Sequence, residues 1–282
     1  GLSKMQTILA IDPVNRTAQV QPGVRNLAIS EAAKPYGLYY APDPSSQIAC
    51  TIGGNIAENS GGVHCLKYGL TVHNVLQIKL VTMEGELLTL GGNGLDTPGY
   101  DLLAVAIGSE GLLGIVVEAT LRLLPIQPNT QVLLAAFDSI EQAGNAVAAI
   151  IAGRLIPAGL ELMDNAAIRV TDAFVHANYP LEAEAILLCE LDGLSEQVDA
   201  DVAKATDIFY ANGAFEIRTA KNDKERKLFW AGRKAAFPAV GRISADYYCM
   251  DGTIPRKHLA KVLTQINHYA NELNLKGVIV FP

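Results

Sequence analysis

Glycine, asparagine, serine and proline crowd one stretch of this sequence. With such residues a chain can wrap a flat or phosphorylated ligand. The stretch runs Ala41-Pro42-Asp43-Pro44-Ser45-Ser46-Gln47, then Thr51-Ile52-Gly53-Gly54-Asn55-Ile56-Ala57, then Asn59-Ser60-Gly61-Gly62, and ends at Lys67-Tyr68-Gly69. Two glycine pairs let the backbone approach a bulky partner, because no Cβ stands in the way. Neighbouring asparagines and serines add hydrogen-bonding groups, and successive main-chain N–H groups form concavities that suit anions. Tight turns between strands use the same residues, so composition leaves a ligand wall and a run of turns equally open. A second loop, Gly108-Ser109-Glu110-Gly111-Leu112-Leu113-Gly114, spaces its glycines regularly and could cradle a phosphate. It precedes an apolar strand-like run. The G-x-G-x-x-G fingerprint of nicotinamide enzymes instead follows a strand and opens a helix, and the sequence contains no match to it. A doubly wound nicotinamide dehydrogenase is therefore disfavoured.

The titratable residues offer less. His64, His73, His176, His258 and His268 are scattered, and no two share the i, i+3 or i, i+4 spacing that brings ligands to one helix face. No metal site is expected among them. Cys50, Cys65, Cys189 and Cys249 form no CxxC pair and read as apolar filler, which fits a reducing cytoplasm. Glu110 either faces a ligand or caps a turn. Asp251, opening Asp-Gly-Thr-Ile-Pro, reads as a turn residue. The formal net charge of −7 and the absence of a Lys/Arg cluster argue against nucleic acid as a partner. No apolar run reaches the ~18 residues that span a bilayer.

The elements that must position these residues change character along the 282-residue chain. Half of its residues are hydrophobic, enough for a sizeable core. Up to about residue 124 the pattern is short strands and Gly-rich loops, which should build a mixed sheet. Gln6–Ile11 and Thr17–Gln21 flank the turn Asp12–Asn15. A short helix follows over Arg25–Lys34. Val75–Thr82 and Glu86–Leu90 form a hairpin about Glu84-Gly85, and Gly114–Leu124 is a long strand. Beyond residue 130 strands alternate with longer helices. Strands are expected at Gln131–Phe137, Gly159–Met163, Ala185–Leu191, Phe215–Ala220, Tyr247–Ile254 and Lys276–Phe281. Helices are expected at Ser139–Ala152, Asn165–Ala177, Ser195–Asn212, Asn222–Val240 and Pro255–Leu273. Asn222 and Glu225 sketch a capping box at the start of the fourth. The fold class is α+β, with domains at 1–125 and 126–282.

In this order, Pro22-Gly23-Val24, the Ala41–Ser46 run, Ile52–Asn55, Asn59–Gly62, Lys67–Gly69 and Gly108–Gly114 resemble the second part of a vanillyl-alcohol-oxidase (PCMH-type) FAD domain. Phe229-Trp230-Ala231-Gly232-Arg233-Lys234 and Tyr247–Pro255 are similar to the cap domain of the same family, and within it to the FAD-linked subunits of glycolate oxidases. The resemblance covers essentially the whole chain. It implies a partial PCMH-type FAD-binding subdomain followed by a ferredoxin-like α/β cap. The cofactor implied is FAD, held non-covalently despite the nearby His64, Cys65 and Cys50. The implied contacts are Pro42, Asp43, Pro44, Ser45, Ser46, Gly53, Gly54, Asn55, Ala57, Asn59, Gly61, Gly62, Tyr68, Gly69, Glu110, Gly111, Gly114 and Ile115. Gly53, Gly54, Gly61, Gly62 and Gly114 should line an open concavity. Arg233 corresponds to the arginine that forks a substrate carboxylate. A structural salt bridge is the bland alternative for it. The implied reaction is oxidation of a small 2-hydroxy acid, glycolate or D-lactate, to the 2-oxo acid. Electrons then pass to other glycolate oxidase subunits or another acceptor, in the cytoplasm or at the membrane periphery through those subunits. The family pattern also carries a pyrophosphate-gripping loop earlier, and a His-rich metal motif with the base later. The chain thus reads as an internal fragment that is not expected to turn over by itself. A non-catalytic scaffold subunit is the competing reading.

Overall fold

The computed structural model describes residues 1–94, 98–242, 244, 246–275 and 277–280. The chain divides into two compact units, Gly1–Ile126 and Gln127–Pro282. The first contains β1 (Ile8–Asp12), β2 (Thr17–Val20), α1 (Asn26–Ala33), β3 (Leu38–Tyr39) and α2 (Ile52–Glu58). Then come α3 (Cys65–Tyr68), α4 (Thr71–Asn74), β4 (Val75–Val81), β5 (Leu87–Gly91), α5 (Leu102–Ala106), β6 (Ile115–Arg122) and β7 (Leu124–Pro125). Among the described residues the main sheet runs β1-β2-β6-β4-β5, and each neighbouring pair is antiparallel. In β4 the buried Ile78 and Leu80 alternate with half-buried Gln77 and Lys79, the period of a strand with one face on a core. Ile29 of α1 and Ile52 and Ile56 of α2 close that core against Val20, Ile78 and Leu121, all fully buried. α2 buries Ile52, Asn55 and Ile56, one helical stripe.

The second unit contains β8 (Asn129–Phe137), α6 (Ile140–Ala152), β9 (Gly159–Asp164), α7 (Asn165–Val175) and β10 (Ala185–Gly193). It continues with α8 (Ser195–Ala211), β11 (Ala214–Thr219), α9 (Asp223–Lys234), α10 (Ala236–Val240) and α11 (Leu259–Glu272). Its sheet is ordered β11-β8-β10-β9, antiparallel throughout, which is the ferredoxin-like order of fourth, first, third and second strand. One face carries Leu133, Phe137, Leu187 and Cys189 and packs with residues of α6, α8 and α11. The other face carries Val132, Leu134, Ile186 and Leu188, which are also buried, and meets α7 and α9. Burial on both faces explains why β8 and β10 read as continuous apolar runs. Burial pushes the Cys189 thiol well above its ordinary range, so it is protonated filler.

Several expectations need correction. The first sheet is antiparallel throughout, not mixed, because its strands are joined as hairpins or across long loops that reverse direction. The segment expected as loop at Thr51–Ala57 is largely the helix α2: Thr51 caps its start and Asn59 ends it at φ 50°. Its two glycines lower intrinsic helix propensity, and the buried isoleucines override that cost. The continuous helix at Asn222–Val240 breaks at Ala235. Pro238 has no N–H to give to the carbonyl of Lys234, so an unbroken ladder is impossible there. Asn222 does cap Glu225 N at 3.0 Å, but the Glu225 carboxylate accepts from Lys221 N at 2.7 Å, one residue earlier than a capping box requires. Tyr247–Ile254 forms no strand: it pairs with no neighbour among the described residues, and Tyr248 is 89% exposed. Of the expected strand at Lys276–Phe281, residues 277–280 have no regular structure, and Lys276 and Phe281 lie outside the described residues. Asp164 N nevertheless donates to Val280 O at 3.2 Å.

Candidate functional site

The Gly-rich stretch folds back on the start of α1. Ile52 N donates to Val24 O and Gly53 N to Pro22 O, both at 2.8 Å, while the Asn26 side chain donates to Pro42 O at 2.9 Å. Pro42 is buried, Asp43 and Pro44 are half-buried, and Ser45 and Ser46 form an exposed turn. Asp43 ties this turn to the second glycine pair. Its carboxylate accepts from His64 N at 3.2 Å and lies 2.8 Å from His64 Nδ1. At the end of α2, Asn59 accepts from Val72 N at 2.9 Å through its side chain. Ala57 O accepts from Glu110 N at 2.9 Å, which brings the second glycine loop alongside α2. In that loop Glu110 takes a left-handed turn at φ 53° with its side chain exposed, and Gly111 has open space around it. Tyr68 stacks edge-on against Tyr39, and Gly69 closes α3 at φ 80°. Ile115 opens β6 and is 54% exposed.

The glycines do not all serve one surface. A Cβ on Gly53 would stand 2.6 Å from Pro22 Cβ, and one on Gly62 would stand 2.5 Å from the Asp43 carbonyl. Gly61 meets Cys65 and Leu70 at 3.0 Å, and Gly114 meets Val81 O at 2.6 Å. At these four a Cβ would meet the chain itself, so packing alone calls for glycine there. Gly54 differs: it is exposed, and a Cβ there would find only Thr51 Oγ1 at 3.5 Å. A cleft of about 500 Å³ in this unit is lined by Val72, His73, Leu76, Leu103 and Arg122 among others, and by none of the expected flavin contacts. The residues at hand still fit a flat, phosphate-bearing group. Asn55, 2% exposed, has an amide Nδ2 with no hydrogen-bond partner among the described residues. A buried donor left unpaired is costly, and a ligand acceptor would satisfy it.

In the second unit Arg233 lies in the last turn of α9. Its Nε donates to Glu161 Oε2 of β9 at 2.5 Å, with 15% of the Arg233 side chain and 12% of the Glu161 side chain exposed. One turn earlier, Trp230 Nε1 donates to Glu190 Oε2 of β10 at 2.6 Å. The sequence reading missed both glutamates. The signal was there: a carboxylate inside an apolar strand such as Gly159–Met163 or Ala185–Leu191 must have a partner when the strand is buried. It also missed the Asp43–His64 pair, which joins residues far apart in sequence and leaves no local trace. Among the described residues no three His, Cys, Asp or Glu side chains gather to hold a metal, and no helix is long and apolar enough to cross a membrane.

Comparison with known proteins adds family context. Residues 126–281 match the family model described as FAD linked oxidases, C-terminal domain, and residues 1–91 match the FAD binding domain model. The glycolate oxidase subunit GlcD of Escherichia coli (strain K12) is 60% identical over 280 residues, which are 99% of this chain and 56% of the relative. The glycolate oxidase subunit GlcD of Bacillus subtilis (strain 168) is 39% identical, across 96% of this chain and 58% of the relative. A D-lactate dehydrogenase of Anaerostipes hadrus is 34% identical, across 94% and 57%. The chain thus spans a little over half the length of these relatives. A solved structure of alkyldihydroxyacetonephosphate synthase shares the fold, with a TM-score of 0.76 at 20% identity over 95% of this chain and 55% of that one.

Proposed function

We propose, for a chain that belongs to the FAD-linked oxidases, that its complete gene product oxidises a small 2-hydroxy acid, glycolate or D-lactate, to the 2-oxo acid. The observation that carries this reading is the 60% identity along nearly the whole chain to a protein named as a glycolate oxidase subunit. In this reading residues 1–125 are part of the flavin domain and residues 126–282 are the substrate domain. FAD, when bound, supplies the acceptor for the hydride that leaves the substrate α-carbon. The segments Pro42–Gly69 and Glu110–Ile115 hold it, with Gly54 leaving room for it and Asn55 Nδ2 donating to it. Arg233 receives the substrate carboxylate, for which a planar guanidinium is the matching donor. The relative's designation as a subunit supports a partner that takes the electrons onward.

The Arg233–Glu161 contact favours a second reading for that one residue, in which the arginine is a structural ion pair and another group binds the carboxylate. The overall proposal is tested on the purified gene product by its visible spectrum and by reduction of a dye acceptor. A flavin band near ~450 nm together with turnover of glycolate or D-lactate is expected. A product that carries no flavin, or that oxidises neither acid, would overturn it.

A further inference from the structure

We propose that Glu161 is a positioning residue for Arg233, fixing its guanidinium for a substrate carboxylate; the inference rests on the reading of Arg233 given above. The geometry of β9 and β10 is the starting point. Glu161 stands opposite Leu188 and Gly159 opposite Glu190, so the two glutamates share one face of the sheet on adjacent strands. The helix above that face answers with Arg233 and Trp230, three residues apart and thus one above the other. The inner pair is the deeper one: Glu190 is 7% and Trp230 6% exposed, while the Arg233–Glu161 pair stands nearer solvent.

α9 is already anchored without Glu161. Trp230 holds to Glu190, and Tyr179 donates its hydroxyl to Phe229 O at 2.5 Å with its ring pressed against Gly232. A contact needed only to dock the helix would be met at less desolvation cost by two apolar side chains. What a carboxylate on Nε adds is direction. The Nε–H bond lies in the guanidinium plane, so a charge-assisted hydrogen bond there fixes that plane and aims the terminal amino groups. Preorganisation of this kind lowers the cost of binding the next carboxylate.

The test uses the complete gene product with Glu161→Ala, Glu161→Gln and Arg233→Lys. Two quantities are read: KM and kcat for the 2-hydroxy acid with a dye acceptor, and the Kd of pyruvate from isothermal titration calorimetry. Glu161→Ala should raise KM and Kd about tenfold while kcat changes less than about threefold. Glu161→Gln keeps an acceptor oxygen for Nε and should stay within about threefold of wild type. Arg233→Lys should raise KM at least as much as Glu161→Ala. If Arg233→Lys is impaired and Glu161→Ala keeps wild-type KM and Kd, the inference fails and the reading of Arg233 stands. A fall in Tm and flavin content at unchanged KM would likewise reduce Glu161 to a structural role. Wild-type KM and Kd in Arg233→Lys would overturn the reading of Arg233, and the inference with it. If no 2-hydroxy acid is turned over at all, the proposed activity fails, and the Kd of Glu161→Ala alone decides: an unchanged value overturns the positioning role.

Discussion

Gly54 and Gly62 belong to the same Gly-rich stretch and face opposite surroundings, so two alanine substitutions separate packing from the proposed ligand binding. A methyl group on Gly62 would press on the Asp43 backbone at 2.5 Å and on its carboxylate at 2.6 Å. That neighbour is backbone and cannot swing aside. Gly62→Ala should therefore cost about 1–3 kcal/mol by overpacking and lower Tm, and it should disturb the Asp43–His64 contact. A methyl group on Gly54 meets only an ordinary contact with Thr51 Oγ1 at 3.5 Å, inside a helix. Gly54→Ala should leave Tm unchanged or raise it, by up to ~1 kcal/mol of helix propensity, while weakening FAD binding to the complete gene product. Unchanged FAD affinity in Gly54→Ala would remove Gly54 from the cofactor site. The glycine pairs were legible in the sequence as places of close approach. Which of them the chain closes and which it leaves open was not legible, because Pro22, Asp43 and Val81 reach them only through the fold. Glu161 and Glu190 were legible as anomalies in apolar strands, although their partners on α9 were not.

At the scale of elements, Asp164 is where β9, α7 and the segment 277–280 meet. Its carboxylate accepts from Ala167 N at 2.7 Å, capping α7, and from Val280 N at 3.0 Å. Burial pushes its pKa up from 3.8 to about 6; the hydrogen bonds from Ala167 and Val280 oppose this, and the nearby Glu184 adds to it. A folded-state pKa above the unfolded value means that the native state binds the proton more tightly. The associated stabilisation is fully present below about pH 4 and is lost as pH rises through about 6. An asparagine side chain in its place is neutral at every pH, so the Tm of wild type minus that of Asp164→Asn should fall between pH 4 and pH 7 and then level off. A difference that does not move with pH would show that Asp164 titrates normally. Elements with a strong local signal were readable: the alternation in β4, and the start of α6, where Ser139 caps Gln142 N at 3.1 Å. α2 was hidden by its glycine pair, and the break after Lys234 by the helical composition around Pro238. Tyr247–Ile254 has the β-rich composition of a strand but no ladder partner among the described residues, and only partners make a strand.

At the scale of the whole molecule, two hydrophobic cores with no member in common stand behind the two units. One gathers Val20, Ile56, Ile78 and Leu121; the other gathers Phe137, Ile150, Leu187 and Phe209. The change of rhythm in the sequence near residue 125 carried this division, because strands with Gly-rich loops and strands with long helices bury their apolar faces differently. Separate cores predict separate losses. Ile78 and Leu187 are each fully buried on an inner strand of one sheet. Truncating either to alanine should cost about 2–5 kcal/mol in its own unit. Native-state hydrogen exchange reads where that cost falls, since each amide reports the opening of the unit that contains it. In Ile78→Ala, protection should drop in β4 and β6 and hold in β8 and β10; in Leu187→Ala the pattern should reverse. Bound flavin would raise protection wherever it makes contacts, so the comparison is made on flavin-free protein. Equal loss of protection in both sheets from either substitution would mean that the two cores open as one cooperative unit.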